Sequence, residues 1–160
     1  MYKKNSNEEL SVEELFFNLA VIRGFKVEIA TGFEQFDHID FHLTSDEDDG
    51  KMTAMIDLKR LNEESKNDTV EIEFKNVQGK EGWIYGVSDF IAFETKKAFI
   101  LSYRKELCDF CLNNVDLSNP SNEVDELEYV AFNSKGKQNL LSNVLIEDII
   151  KLPHTQVWKK

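Results

Sequence analysis

The stretch that most constrains the fold is residues 52–61, which read MTAMIDLKRL. Methionine, isoleucine and threonine are frequent in it and neither glycine nor proline interrupts it, so it predicts a β-strand. Successive side chains of a strand point to opposite faces. One face carries Met52, Ala54, Ile56 and Leu58, and the other carries Thr53, Met55, Asp57, Lys59 and Leu61. Because both faces are mainly apolar, we predict a central strand that is covered on both sides.

Asp57 and Lys59 therefore lie side by side on a face that we expect to be buried. Buried charges are costly unless they are paired or bind a metal ion. Two interpretations follow. In the first, the two residues form an ordinary ion pair at a strand end. In the second, they form an Asp-x-Lys half-site, in which the carboxylate holds a metal ion and the ammonium group faces the reacting group.

Length and composition indicate one domain, residues 1–160, with 41% hydrophobic residues and twelve phenylalanines to form a core. No apolar run reaches membrane length and the N-terminal MYKKNSNEEL is polar, so we expect a soluble, cytoplasmic protein with no membrane partner. The net charge of −11 is the wrong sign for a simple nucleic-acid binder. A nuclease with this balance requires cations at its site or basic residues clustered on one side.

The residues before the central strand predict a helix and a hairpin. Ser11 and Glu14 form a capping-box pattern that begins a helix over residues 11–23, and Gly24 ends it. Strands are predicted at residues 25–31 and 36–44, with a turn at 32–35 between them, and the acidic SDEDDGK at 45–51 predicts the turn of a hairpin with the central strand. If paired residue numbers add to about 95, Asp40 lies opposite Met55 and on the same face as Asp57.

The rest of the chain predicts further strands and helices. Strands are expected at residues 69–77, 89–94 and 98–103, a helix at 105–114, a linker at 117–126, a strand in the LEYVAF segment and a helix around 139–151. Residues 78–86, QGKEGWIYG, form a glycine-rich loop in which Trp83 and Tyr85, with Lys80, are candidates to contact nucleic acid. The alternative is that these aromatic rings cover the end of a sheet.

This succession resembles the PD-(D/E)XK nuclease superfamily, in particular the archaeal Holliday-junction resolvase type. The resemblance covers residues 11–103. It is carried by Glu13 or Glu14, GFKVEIAT, HIDFHL with Asp40 and AMIDLKR with Asp57 and Lys59, and VEIEFKNVQGKEGWIYGVSDFIAFE is similar to a segment of bacterial and phage members. It implies an α/β (α+β) fold with a restriction-endonuclease-like core at about 11–107: an N-terminal helix, then a mixed, largely antiparallel sheet with flanking helices. Residues 108–160 are then a C-terminal extension.

The implied activity is metal-dependent endonucleolytic hydrolysis of DNA, with structure-specific cleavage as one form. A divalent ion, Mg²⁺ or Mn²⁺, polarises the phosphate and lowers the pKa of a bound water. Asp40 and Asp57 on neighbouring strands can bracket one ion, and Lys59 can orient the attacking water or stabilise charge on the phosphate. The resemblance also implies a helix glutamate as a third ligand. Glu13 is preferred, because the capping box already accounts for Glu14.

A second register uses Asp57 with Glu73 and Lys75. The spacing from Asp57 to Glu73 is sixteen residues, against seventeen from Asp40 to Asp57. Alternation in TVEIEFKNV places Glu73 and Lys75 on the polar face of a half-exposed strand, where charges are normally found, so the first register is preferred. Glu73 can still lie near the metal, because we expect its strand to neighbour the central strand.

Other functions remain open from the sequence. His38 and His42 flank Asp40 and can bind a transition metal, or they are ordinary exposed strand residues. The main rival to a nuclease is a non-enzymatic acidic interaction protein on the same fold, which mimics DNA or binds a basic partner. A structural metal site is a third interpretation. DNA is the expected partner of the nuclease, and a homodimer is compatible with either function.

Overall fold

The computed structural model describes residues 1–3, 9–45, 52–61 and 68–160, which fall into two compact units. The first unit comprises Met1–Leu61, Val87–Leu101 and Gln156–Lys160, and the second comprises Asn62–Gly86 and Ser102–Thr155. The chain therefore passes between the units after Leu61, Gly86, Leu101 and Thr155. This division differs from the expected boundary near residue 107, because segments from both ends of the chain join the first unit.

The described residues form four helices and ten strands. The helices are α1 (Val12–Ile22), α2 (Gly32–Phe36), α3 (Arg104–Asn114) and α4 (Ile146–Ile150). The strands are β1 (Lys26–Ile29), β2 (Phe41–Ser45), β3 (Met52–Lys59), β4 (Thr69–Lys75), β5 (Phe90–Glu94), β6 (Ala98–Tyr103), β7 (Asp116–Ser121), β8 (Val130–Phe132), β9 (Leu140–Leu145) and β10 (Gln156–Lys159). The protein is thus a mixed α/β protein with two mixed sheets, which confirms the predicted fold class at this level.

The first sheet has the strand order β1-β2-β3-β5-β6-β10. The pairs β1/β2, β2/β3 and β6/β10 are antiparallel, whereas β3 and β5 run parallel. The predicted central position of β3 is confirmed, since it lies between β2 and β5. The carboxyl ends of β3 and β5 consequently lie at the same edge of the sheet.

Helix α1 packs on one face of this sheet. Ser11 is its N-cap in a complete capping box with Glu14, and Gly24 follows its end with φ of 89°, so the predicted start and end are confirmed. Phe16 and Ala20 are buried against Phe41, Ile56 and the other apolar side chains of the sheet face. The helix forms at these residues because the capping box and the apolar stripe both specify a helix over the same stretch of chain.

The hairpin of β2 and β3 has a register two residues away from the predicted one. Phe41 pairs with Ile56 and His42 with Met55, so paired numbers add to 97. The prediction that Asp40 lies opposite Met55 is therefore wrong. The paired residues end at Phe41 and Ile56, and Asp40 lies just before β2 with its N–H donating to Ile56 O. A shift of two preserves the face of every side chain, because strand side chains alternate with a period of two. The predicted turn at residues 46–51 lies outside the described residues.

The start of the predicted strand at residue 36 is also wrong, and so is the turn expected at residues 32–35. Residues 32–36 form the short helix α2, and β2 begins only at Phe41. Thr31 and Glu34 form a second capping box that favours helix at this point. His38 then adopts φ of 57°, a left-handed conformation that ends the helical segment.

The second unit contains the sheet β4-β9-β8-β7. Strand β4 pairs with β9, so the prediction that it neighbours the central strand is wrong. The helix predicted around 139–151 is strand β9 followed by the short α4, and the predicted linker contains β7. A short apolar run such as LLSNVL cannot be assigned to helix or strand by periodicity alone. None of the described helices has the length and apolar character needed to span a membrane.

Candidate functional site at the end of strand β3

Two charged side chains occupy the carboxyl-terminal end of β3. Asp57 is only 2% exposed, and Lys59 Nζ lies 3.0 Å from Asp57 Oδ2. Apart from this contact with Lys59, Oδ2 has no hydrogen-bond partner within the described part of the chain. Residues two apart on a strand share a face, which explains why the pair can form. The site therefore contains a buried carboxylate whose main compensation is one ammonium group.

The charges around Asp57 act on its pKa in opposite directions. Burial raises the pKa of this carboxyl, the positive charge of Lys59 and its hydrogen bond lower it, the negative charge of Asp40 raises it again, and His38 lowers it slightly. Burial is the largest of these effects, so the pKa of Asp57 is raised overall. Lys59, Asp40 and His38 are therefore all close enough to act on Asp57, and the role of Asp40, Asp57 and Lys59 as a catalytic site stays a prediction.

Main-chain hydrogen bonds hold Asp40 in its position just before β2. Its N–H donates to Ile56 O at 2.8 Å, and its own carbonyl oxygen accepts from Ala30 N–H at 2.9 Å. Its Oδ2 accepts from Leu58 N–H at 2.7 Å. Asp40 is thereby held to the backbone of β3 on either side of Asp57, by its main chain at Ile56 and by its side chain at Leu58. The negative charge of Asp40 is close enough to act on the pKa of Asp57.

Glu94 lies at the same edge of the sheet, at the end of β5. Its Oε2 accepts from Leu61 N–H at 2.9 Å and its Oε1 from Lys160 Nζ at 2.8 Å. Glu94 thus holds the backbone at Leu61, two residues after Lys59. Sequence reasoning did not identify Glu94 as a site residue. The pattern that could have indicated it is an acidic side chain at the end of an apolar strand. Ligand sites in parallel α/β sheets are found at such carboxyl ends.

The helix glutamates have other partners. Glu13 Oε1 accepts hydrogen bonds from the Arg60 guanidinium, with Nε at 3.1 Å. Partial burial acts to raise the pKa of Glu13, but the hydrogen bond from Arg60 and further favourable contacts outweigh it and the pKa is lowered. Glu14 Oε2 accepts from Ser11 N–H at 2.9 Å as a capping residue. A role of either glutamate as a third metal ligand stays a prediction, and these contacts do not favour it.

Among the described residues, no cluster of three or more histidine, cysteine, aspartate or glutamate side chains is arranged to hold a metal ion. Magnesium commonly binds through one or two carboxylates and keeps several waters. Asp40 and Asp57 supply two such carboxylates, and Asp57 Oδ2 is a buried oxygen whose polar contact among the described residues is the Lys59 ammonium group. These donor types fit a hard divalent cation, and the two aspartates are the residues that would hold it.

The histidines near Asp40 are not gathered into a pair. His42 Nε2 lies 2.9 Å from Glu34 Oε1, which joins β2 to α2. His38 is exposed and follows α2. Helix α2 also carries two exposed rings, Phe33 and Phe36. Sequence reasoning assigned this segment to a turn and did not identify these exposed rings, because the short helix that presents them depends on a cap pattern of only four residues.

The residues of the second register lie in the second unit, whereas Asp57 lies in the first. Glu73 Oε1 accepts from Trp83 N–H at 3.3 Å, and Lys75 is exposed. Trp83 is only 6% exposed, and this burial does not favour its contact with nucleic acid, which stays a prediction. Tyr85 is partly buried beside Phe74. Lys80 is exposed, and its contact with nucleic acid stays a prediction.

Comparisons with family models, with curated proteins and with solved structures returned no match.

Proposed function

We propose that the first unit is a metal-dependent endonuclease that hydrolyses DNA phosphodiester bonds, with Asp40, Asp57 and Lys59 as its site and Mg²⁺ or Mn²⁺ as its cofactor. One observation carries the proposal: the Asp40 carboxylate accepts a hydrogen bond from the N–H of Leu58, the residue after the buried Asp57, and Asp57 Oδ2 is itself 3.0 Å from Lys59 Nζ. A carboxylate in this position is costly to the fold. Groups with perturbed pKa values and specific charged partners are frequent at functional sites.

The order of the elements also supports the proposal. Helix α1, the antiparallel β2–β3 hairpin and the parallel strand β5 follow each other around the three residues. The resemblance stated above implies a helix, a hairpin and an Asp-x-Lys strand in this order, within a restriction-endonuclease-like core. That finer fold assignment is part of the proposal.

The chain's own residues would have three roles. Asp40 and Asp57 would hold the cation, which when bound supplies polarisation of the phosphate and a lower pKa of a bound water. Lys59 balances the charge of Asp57 in the free protein. A cation held by Asp57 would supply the charge compensation that Lys59 gives in its absence, and the Lys59 ammonium group would then stabilise negative charge that develops on the phosphate oxygens.

Cleavage assays test the activity directly. Branched, single-stranded and duplex DNA are incubated with the purified protein, with and without Mg²⁺ or Mn²⁺. We expect cleavage that requires the ion and that Asp57→Asn abolishes. Asp116→Asn is the matched control, because this exposed aspartate lies on β7, away from the three site residues in the chain. A parent protein that cleaves none of the three substrates with either ion contradicts the proposal.

Cation binding is testable without any substrate. A ligand that binds only the folded state raises stability, so millimolar Mg²⁺ or Mn²⁺ should raise the Tm of the parent protein. The increase should vanish in the variant with both Asp40→Asn and Asp57→Asn, and it should persist in Asp116→Asn. An unchanged Tm of the parent protein during the titration would contradict metal binding at this site.

A non-enzymatic role is the second candidate, and the charge balance favours it. Thirty acidic residues against nineteen basic ones give the chain a net charge of −11. Such a protein can mimic DNA or bind a basic partner through electrostatic complementarity. This candidate gains support if the parent protein neither cleaves DNA nor gains stability from the ions, and if it competes with DNA for a basic DNA-binding protein.

A further inference from the structure

Strand β1 forms an edge of the first sheet. It pairs with β2 on one side, and in the described ranges no strand pairs with its other side. Ala30 N–H donates to Asp40 O at 2.9 Å, which continues the β1/β2 register by one residue. Hydrogen-bonded and non-bonded pairs alternate along an antiparallel ladder. The backbone groups of Lys26 and Glu28 therefore point toward β2, and those of Val27 and Ile29 point outward.

The charged residues on this edge, Lys26 and Glu28, are complementary to the same two residues on a second copy of the strand. The side chains of Lys26 and Glu28 are 70% and 60% exposed, and Lys26 Nζ lies 3.1 Å from Glu28 Oε1. When a second β1 pairs antiparallel about Val27, Lys26 faces Glu28 of the second copy, and the reverse pair forms as well. Shifting this register by two residues in one direction places Lys26 opposite Lys26, and in the other direction Glu28 opposite Glu28. Like charges directly opposite each other are destabilising, so only the register centred on Val27 is favoured.

Apolar side chains lie at both ends of the same strand. Ile29 is 56% exposed at one end, and Ile22, at the end of α1 just before the strand, is 67% exposed. In the register centred on Val27, Ile29 lies opposite Phe25 of the second copy. The two-fold symmetry thus brings the exposed isoleucine at one end of β1 to the chain segment that contains Phe25 and Ile22 in the other copy.

We propose that β1 is the docking edge for a second copy of this chain, with two β1 strands paired antiparallel about Val27 in a symmetric dimer. Such an interface uses the same surface on both subunits. Charged residues on an edge strand normally oppose pairing with foreign strands. Here the opposite signs of Lys26 and Glu28 exclude most partners but allow another copy of the same strand. The proposal does not depend on the nuclease function.

Charge reversal tests the dimer and its register. Sedimentation equilibrium of the full-length protein should show a monomer–dimer equilibrium. Lys26→Glu and Glu28→Lys should each raise the dimer Kd by about 10-fold or more, because two attractive cross-strand pairs become two repulsive pairs. Lys151→Glu is the matched control at an exposed lysine of the second unit and should leave the Kd unchanged. Circular dichroism confirms that each variant is folded.

Two further samples make the test specific for this register. An equimolar mixture of Lys26→Glu and Glu28→Lys should form heterodimers, since both strands then carry complementary charges. The double variant with both changes should recover the parent Kd. A parent protein that is monomeric at its highest soluble concentration overturns the proposal. Dimers that neither single variant weakens overturn it as well, and so does a failure of the mixture to associate.

Discussion

The chain contains two acid-x-lysine pairs on strands, and their surroundings differ. Asp57 and Lys59 end the central strand β3, where Asp57 is 2% exposed and its pKa is raised, mainly by burial. Glu73 and Lys75 end β4 in the second unit, where Lys75 is exposed. The same spacing thus yields a costly buried charge in one case and a surface lysine in the other. Burial, and not the spacing, makes the first pair a candidate for chemistry.

The second pair has a structural role instead. Glu73 Oε1 accepts from the N–H of the buried Trp83, and Gly82 N–H donates to Phe74 O at 2.9 Å. A Cβ atom added at Gly82 would lie 2.2 Å from Glu73 O, so only glycine allows this close approach of the loop to β4. These contacts account for Glu73 without a catalytic role.

The largest expected difference between the two pairs is in cleavage rate. Lys59→Ala should still bind metal and DNA but cleave at least about 10²-fold more slowly, by analogy with the loss of one oxyanion donor. Lys75→Ala should cleave at nearly the parent rate, because its ammonium group is in solvent. Single-turnover assays with both variants measure the contrast. If Lys75→Ala abolishes cleavage while Lys59→Ala does not, the assignment of the chemistry to Lys59 is wrong.

Stability in metal-free buffer should separate the same two lysines. Lys59→Met leaves the buried Asp57 carboxylate without its partner and should lower the free energy of unfolding by about 3 kcal/mol. This is the lower end of the usual range, since the Lys59 side chain is 25% exposed. Lys75→Met should change it by no more than about 0.5 kcal/mol, as is usual for surface sites. Urea denaturation measures the free energy of unfolding of both variants. Equal decreases in the two variants would show that Lys59 and Lys75 do not differ in their contribution to stability.

The structural role of the second pair predicts an effect at Gly82. Gly82→Ala forces a methyl group against the Glu73 carbonyl and should lower the free energy of unfolding by about 1–3 kcal/mol. Gly32→Ala is the matched control, because a Cβ atom at Gly32 meets no atom within 4 Å. The two variants are compared by urea denaturation. A neutral Gly82→Ala would show that the loop does not depend on this close approach.

The pH dependence of stability offers a smaller but directional test. The pKa of Asp57 is raised in the folded state, so the folded protein retains a proton that the unfolded chain has released. Ionised Asp57 lowers the free energy of unfolding. This destabilisation is absent below the pKa of Asp57 in the unfolded chain, about 3.9, and it grows as the pH rises from there through the pKa of Asp57 in the folded protein. Relative to the parent protein, Asp57→Asn should therefore become more stable as the pH rises through this window. Urea titrations at several pH values should show this trend, and an opposite trend would contradict the burial of an ionisable Asp57.

Local signals in the sequence were sufficient for several elements. The capping box of Ser11 and Glu14 with the following apolar stripe determined α1, because the cap and the helix stripe involve only nearby residues. The apolar run from Met52 determined β3 and its central position. The pairing of Asp57 with Lys59 followed from the two-residue period of a strand, whereas the hydrogen bonds that hold Asp40 beside β3 did not follow from the predicted register.

Only the tertiary structure decided the features that depend on distant segments. The position of β4 beside β9 and the burial of Trp83 required partners that no local pattern specifies. The partners of Glu13 and Glu94 are Arg60 and Lys160, which are far away in the chain. A period of two assigns each strand side chain to a face, but which strand lies next to it, and what covers that face, depends on the packing of the whole chain. For that reason the sequence alone determined which charges share a strand, and the tertiary structure determined which of them are buried.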